Sequence, residues 1–140
     1  MVGVLLMALD AAAGPFAPHR WQQRVVVLHD AGRGADWVDA QIDALRAVRP
    51  ENVERDIVVW VCRDGGCAVD DEAGLKGTGM RLDPRSVASA LRVTAPSIYL
   101  IGKDGSVKLH RTDRVDPAEL HRRIDAMPMR QSEMKAQHGG

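Results

Sequence analysis

The chain has 140 residues, 45% of them hydrophobic and 4% aromatic, and its 19 Lys and Arg are balanced by 19 Asp and Glu. This length suits one domain, and the apolar fraction is enough for one hydrophobic core. The balanced charge disfavours nucleic acid or an anionic membrane as a partner. No apolar run approaches the length of a membrane span. We therefore predict a small domain with no nucleic-acid partner and no transmembrane segment.

Residues 1–19 are predicted to be an N-terminal extension. An apolar stretch is followed there by small residues, as in a signal peptide, but no Lys or Arg precedes it. The segment is interpreted as a signal remnant, as the result of a wrongly set start, or as a docking segment of the domain. We expect a periplasmic or secreted protein, with the cytoplasm as the alternative because the basic residues are missing.

The first half of the chain predicts a strand, a helix and a second strand. Residues 24–29 and 56–62 are short apolar runs rich in β-branched residues, which is typical of buried parallel strands. Between them, Asp36 is predicted to cap a helix that Pro50 ends. The apolar residues of this helix recur at helical spacing: Val38, Ile42, Leu45 and Val48.

The second half predicts a long loop, a helix, a hairpin and a last helix. Residues 63–82 show no clear period and are interpreted as the loop. Asp83-Pro84 and Asp116-Pro117 are typical helix starts, and Asp104-Gly105 is a hairpin turn signal. The last helix carries Leu120, Ile124 and Met127 on one face and is expected to stop at Pro128. Residues 135–140 are predicted to be a disordered tail.

The element order β-α-β-α-β-β-α predicts an α/β, thioredoxin-like domain over residues 20–134, with a four-stranded mixed sheet flanked by helices. In this topology the ends of the first two strands and the start of the third share one edge of the sheet. That edge should gather His29, Asp30, Arg33, Cys62 and Pro96. Pro96 occupies the position where such folds keep a cis-proline, and the sequence leaves open whether its own bond is cis.

The loop after the first strand contains no Cys-x-x-Cys and no Cys, Ser or Thr that could act as a nucleophile. We consider three interpretations of this edge. It is a solvated Gly-rich connection, or an anion site formed by loop N–H groups and Arg33, or a redox site. In the redox interpretation Cys62 and Cys67 form a local bridge, and His29 favours the thiolate of Cys62.

Metal and cofactor binding are not predicted. The five histidines are scattered, and none has a second ligand at the spacing of a zinc site. The chain also lacks the nucleophile elbow, the phosphate-binding loop and the dinucleotide-binding glycine motif. We therefore expect no metal site and no cofactor.

The C-terminal segment of residues 120–134, LHRRIDAMPMRQSEM, is the most specific motif. Together with residues 20–27, 55–59 and 100–109, it resembles the bacterial domain-of-unknown-function family 4174. The resemblance implies a thioredoxin-like fold and no established catalytic residues. It also implies relatives in secreted animal proteins, including sushi-repeat-containing and matrix-associated ones. The cysteine-bearing loop and the Thr94-Ala95-Pro96 sequence depart from the family pattern.

Within this motif, Met129 and Arg130 allow two interpretations. The preferred one is a structural lock, in which Met127 and Met129 pack on the sheet and Arg130 bonds helix carbonyls or an acid such as Asp125. The alternative is a partner-binding patch. An exposed Trp21 or Trp37 would also mark an interface.

We predict a non-catalytic protein-binding or structural module of the cell envelope, with another protein as its partner. The alternative is a thiol-disulfide oxidoreductase that uses Cys62 and Cys67 with His29. The redox interpretation alone would make the chain an enzyme. The binding residues expected at the redox edge are His29, Arg33 and Pro96, and those expected in the motif are Met129 and Arg130.

Overall fold

The computed structural model describes residues 14–139. A 3₁₀ helix, Gly14–His19, precedes the first strand. The strands are β1 (Arg24–His29), β2 (Ile57–Arg63), β3 (Gly66–Val69), β4 (Ser97–Ile101) and β5 (Val107–Arg111). The helices are α1 (Asp36–Ala47), α2 (Arg49–Glu54), α3 (Pro84–Leu91), α4 (Pro117–Asp125) and α5 (Pro128–Gly139). Most of the predicted N-terminal extension lies outside the described residues.

The five strands form one mixed sheet in the order β3-β2-β1-β4-β5. β1 and β2 are parallel, as predicted, and β4 runs antiparallel to β1. All four predicted strands are present, but the sheet has five strands, so the predicted number of strands is wrong. The fifth strand is β3, which pairs antiparallel with β2 inside the segment that was expected to be a loop. Asp64 and Gly65 connect these two strands, and Asp-Gly is a common hairpin turn.

Both faces of the sheet are covered, which explains why β1 is apolar at each position between Arg24 and His29. Val26 and Leu28 face the core formed with α1 and α4. Val25 and Val27 face the core on the opposite side, which includes Phe16 of the 3₁₀ helix and residues of α3. Successive residues of a strand point to opposite faces, so a strand buried on both sides must be apolar throughout.

The start of α1 and the place of Pro50 differ from the prediction. Ala35, and not Asp36, occupies the cap position, and no side chain accepts a cap hydrogen bond there. Asp36 is instead the first helical residue. α1 ends at Ala47, and Pro50 lies in the first turn of α2. Proline is tolerated at that point because the first N–H groups of a helix have no intrahelical acceptor.

The two Asp-Pro starts are confirmed. Asp83 accepts a hydrogen bond from the backbone N–H of Arg85 at 3.1 Å, and Asp116 accepts one from the N–H of Ala118 at 3.0 Å. These bonds satisfy two helix donors that would otherwise lack acceptors.

The C-terminal segment continues as a helix where the sequence predicted a stop and a tail. α4 ends at Asp125, before Pro128, but Pro128 then begins α5. Residues 135–139, predicted to be disordered, lie in this helix. Within residues 14–139, no helix combines the length and the apolar character needed to cross a membrane.

Candidate functional site

The predicted redox edge lies where β1 and β2 end and β4 begins. In the strand register His29 lies opposite Cys62 on one side and opposite Ser97 on the other. His29 and Cys62 are therefore neighbours, as the topology suggested. The described residues contain no cis peptide bond, so the bond before Pro96 is trans.

Cys62 and Cys67 form a disulfide across β2 and β3, with their Cα atoms 4.0 Å apart. The two residues are directly opposite in the antiparallel register, and the hairpin at Asp64 and Gly65 brings them together. Both cysteines are fully buried within the core that contains Trp60 and Val87. Thiol-disulfide exchange needs access to a sulfur atom, and neither cysteine residue exposes surface to solvent.

His29 is held by two hydrogen bonds that leave neither ring nitrogen free. Its Nδ1 accepts from the backbone N–H of Ala31 at 2.9 Å. The ring proton is therefore on Nε2, which donates to the carbonyl of Pro84 at 2.9 Å. This arrangement ties the loop after β1 to the start of α3, and it does not direct a base toward Cys62.

A cleft of about 660 Å³ opens beside His29. Its charged lining is balanced, with Arg33, Arg63 and Arg85 facing Asp30, Asp64 and Asp83. Two of the loop N–H groups expected to hold an anion are already used. The backbone N–H of Gly32 donates to the Asp30 carboxylate at 2.8 Å, and the backbone N–H of Arg33 donates to the Asp30 carbonyl at 3.1 Å. An anion in this loop would have to compete with these two bonds and with the Asp30 charge.

The opposite end of the sheet holds a network of ion pairs, between buried cations and partly exposed acids, that the sequence did not reveal. Arg24, at 1% exposure, makes two hydrogen bonds to the Glu133 carboxylate, at 2.9 and 3.1 Å. Lys103 donates to Asp56 at 2.9 Å and to Glu133 at 3.0 Å. Burial alone would raise the pKa of Glu133, but the hydrogen bonds from Arg24 and Lys103 outweigh it and lower that pKa.

Arg130 extends this network to α2 and α4. Its buried guanidinium donates to Asp125 at 3.1 Å, to the Glu54 carboxylate at 3.1 Å and to the Glu54 carbonyl at 3.3 Å. Arg55 makes two further bonds to Asp125, at 2.9 and 3.0 Å. The predicted contacts of Arg130 with Asp125 and with a helix carbonyl are present, as the lock interpretation requires.

Met129 does not pack as that interpretation expected. Its exposed fraction is 39%, whereas Met127 is partly buried against the core. Trp21 is 59% exposed and Val107 is 39% exposed. These three are the exposed large apolar side chains of the described residues, and we call them the apolar face. Trp60 is fully buried, and Trp37 packs against the core.

The members of the apolar face lie around the turn of residues 102–105, at the same end as the ion pairs. The Trp21 backbone N–H donates to the Lys103 carbonyl at 2.6 Å. Met129 lines a cavity with Gly102 and Lys103. Val107 pairs with Ile101, the residue before this turn. The Arg20 guanidinium lies 5.0 Å from the Trp21 ring centroid, so one side of that ring is partly covered.

Within residues 14–139 no group of three or more His, Cys, Asp or Glu is placed to hold a metal ion. Histidine side chains form hydrogen bonds within the fold. His121 bonds the buried Asn52 at 2.6 Å, and His19 accepts from Trp60 at 3.0 Å. Burial is the main cause that lowers the pKa of His121, and the nearby Arg55 charge adds to it.

Comparison with known proteins identifies the family of this chain but no activity or partner. The sequence model of the family described as Domain of unknown function (DUF4174) matches residues 15–133. No curated protein and no solved structure gives a significant match. The match covers most of the chain, which therefore belongs to the DUF4174 family.

Proposed function

We propose that this DUF4174 domain is a non-catalytic protein-binding module with a thioredoxin-like fold. The fold assignment is supported by the parallel pair β1–β2, the antiparallel strand β4 beside β1, and the final hairpin and helix. The observation that carries the function is the apolar face. The three residues of 14–139 with exposed large apolar side chains all lie near one turn, that of residues 102–105.

Single exposed apolar residues are common and need no function, but a group at one place favours an interface. Trp and Met are enriched in protein interfaces, and Trp is among the residues that contribute most to binding. The ion pairs at the same end of the sheet connect Arg24 and Lys103 to Glu133 of α5. A rigid base of this kind lowers the ordering cost when a partner binds.

The chemistry of the redox edge supports binding over catalysis. The disulfide sulfurs belong to fully buried residues, and both ring nitrogens of His29 are engaged. A disulfide persists mainly in oxidising compartments. We therefore propose a periplasmic or secreted protein, as the signal-like N-terminal residues also led us to expect.

A thiol-disulfide oxidoreductase is the second candidate, because Cys62 and Cys67 are bonded to each other. This function requires β3 to separate from β2 before a thiolate reaches either sulfur. β3 is a strand of four residues at the edge of the sheet, although Cys67 also exchanges backbone hydrogen bonds with Leu82. Counting alkylated thiols after equilibration in glutathione buffers tests this candidate directly.

Site-specific photo-crosslinking tests the binding proposal. A photoreactive amino acid is placed at position 21, 107 or 129 and, as a control, at Arg33 on the opposite end of the sheet. After exposure to an extract of the source cells, the three test positions should capture the same protein and position 33 should not. Capture that is equal at all four positions, or capture of different proteins at each, would contradict the proposal.

A further inference from the structure

A groove of about 520 Å³ lies between α1 and the β2–β3 hairpin, and we call it the acidic groove. In the strand register Val61 of β2 lies opposite Ala68 of β3. Because successive residues of a strand point to opposite faces, these two lie on the face of the hairpin away from the disulfide. A Cβ atom placed at Gly66 would meet no atom within 4 Å, so the space beside β3 is unfilled.

The floor of the acidic groove is apolar. Ile42 of α1 and Val61 belong to the core on this side of the sheet, and Val61 is only partly buried. Ala68 and Val69 also keep part of their surface exposed along the groove. The groove is open to solvent, so an extended segment of chain can lie along this floor.

Acids outnumber bases around the floor. Five acids line the acidic groove: Asp39, Asp43, Asp70, Asp71 and Glu72. Two arginines, Arg46 and Arg63, line it as well. Five acids against two arginines leave an excess of three negative charges, although the whole chain has a net charge of zero.

Ion pairs inside the groove use both arginines. Arg63 is paired with Asp39. Arg46 is paired with Asp70 at 2.9 Å and lies 3.8 Å from Glu72. The hydrogen bond to Asp70 is the main cause that raises the pKa of Arg46, and the charges of the other nearby acids add to it. One arginine therefore serves several acids, and no cation of the lining is left over.

Asp43 and Asp71 carry the charge that remains unmatched. Both are exposed, and within residues 14–139 neither has an ion-pair partner. The Asp71 carboxylate accepts one hydrogen bond, from the backbone N–H of Gly77 at 2.8 Å, which leaves its charge uncompensated. The groove therefore favours a cationic occupant, since opposite charges across an interface attract and like charges are rejected.

The apolar floor specifies the kind of cation. No three acids of residues 14–139 are placed to hold a metal ion. Lys and Arg side chains bury an aliphatic stem along apolar surface while the charged group stays in water, which fits a groove with an apolar floor and an acidic rim. Residues 1–13 contain no Lys or Arg, so they cannot supply such a side chain.

We propose that the acidic groove binds a basic segment of a partner protein, with the aliphatic stem of a Lys or Arg on the floor and its charge beside Asp43 or Asp71. None of the lining residues belongs to the apolar face. The acidic groove is therefore a second binding surface, and it does not require the apolar face to bind.

Nuclear magnetic resonance on the full chain tests the proposal with the peptide acetyl-Ala-Arg-Leu-Lys-Ala-amide. The peptide should shift the backbone amide signals of Gly66 and Ala68. A matched peptide carries citrulline and Nε-acetyl-lysine in place of Arg and Lys, which keeps the stems and removes both charges. It should bind at least about fivefold more weakly. Equal binding of the two peptides, no binding of the charged peptide, or shifts confined to residues outside the groove would overturn the proposal.

Two charge-reversing variants locate the site. Asp43→Lys should weaken binding of the charged peptide at least about fivefold. The control is Asp113→Lys, because Asp113 is also exposed and follows β5, at the opposite edge of the sheet from β3. Four strand spacings separate these edges, about 19 Å, which exceeds the screening length of about 8 Å at physiological ionic strength. Asp113→Lys should leave the affinity within about twofold, and equal effects of the two substitutions would contradict the proposed site.

Two further titrations distinguish other occupants. Putrescine carries two positive charges, as the peptide does. If putrescine binds as tightly as the peptide, the occupant is a free polyamine and the proposal is wrong, whereas much weaker binding supports a peptide segment. If the Gly66 and Ala68 signals shift when the protein alone is concentrated, a second copy of the chain occupies the groove, which also contradicts the proposal. The photo-crosslinks at positions 21, 107 and 129 lie outside the groove, so they test the apolar face separately.

Discussion

Reducing the Cys62–Cys67 bond should lower the free energy of unfolding and leave the fold intact. The bond joins residues at a sequence separation of 5 and therefore closes a short loop. The chain-entropy relation for a loop of this size gives about 2 kcal/mol at 25 °C. The loss should be close to this value because the thiols stay in the same core on reduction, so no cavity forms.

Urea unfolding of wild-type protein with and without a phosphine reductant measures this difference. A Cys62→Ala, Cys67→Ala double variant is the matched control. It removes the bond and also two buried sulfur atoms, so its loss should exceed that of the reduced protein. The variant itself should be insensitive to the reductant.

The rate of reduction separates the structural role from the redox role. Because both cysteines are fully buried, reduction in native buffer should be slow and should accelerate as urea opens the β2–β3 hairpin. Fast reduction without urea, together with no change in unfolding free energy, would refute the structural interpretation and favour the redox function.

Three further predictions concern the C-terminal segment. Met127→Ala should lower the free energy of unfolding, measured in urea, by about 1–2 kcal/mol, which is less than for a fully buried Met. Met129→Ala should lower it by no more than about 0.5 kcal/mol, because Met129 is exposed. Similar losses for the two variants would contradict this difference in burial. Arg130→Met should cost about 2–3 kcal/mol by the same assay, and Arg130→Lys, which keeps the charge but not the forked geometry, should cost less. Because the pKa of Glu133 is lower in the folded than in the unfolded chain, its stabilisation is present above its ordinary value of 4.5 and is lost as the pH falls through the folded value. Glu133→Gln should therefore reduce the loss of unfolding free energy at acid pH. An unchanged dependence of the unfolding free energy on pH would show that Glu133 does not contribute to it.

The local elements could be predicted from the sequence because their signals are local. β1 and β2 are apolar at successive positions, since both faces of the sheet are covered. Asp83 and Asp116 cap their helices because each carboxylate accepts a hydrogen bond from the backbone N–H two residues later. The strand β3 was missed because it has only four residues and only one fully buried side chain, Cys67. The combination of Asp64-Gly65 with a cysteine on each side was the signal that could have revealed it.

The ion-pair network could not be predicted because its members are far apart in the sequence. Arg24 and Glu133 are separated by 109 positions, and Lys103 and Asp56 by 47. A charged residue at the end of a strand is usually solvated, so nothing in one sequence distinguishes the buried Arg24 from a surface arginine. Arg130 was identified because its partner Asp125 is only five residues away.

The two ends of the sheet differ in the apolar surface that folding leaves exposed. At the redox edge, the loop N–H groups of Gly32 and Arg33 bond Asp30, and His29 has no free ring nitrogen. A ligand there would have to compete with bonds that already exist. At the opposite end Trp21, Val107 and Met129 still expose apolar surface to water. Binding gains free energy from apolar area that folding has not yet buried. This difference in exposed apolar area is why the proposed binding surface lies at the end of the sheet remote from the disulfide.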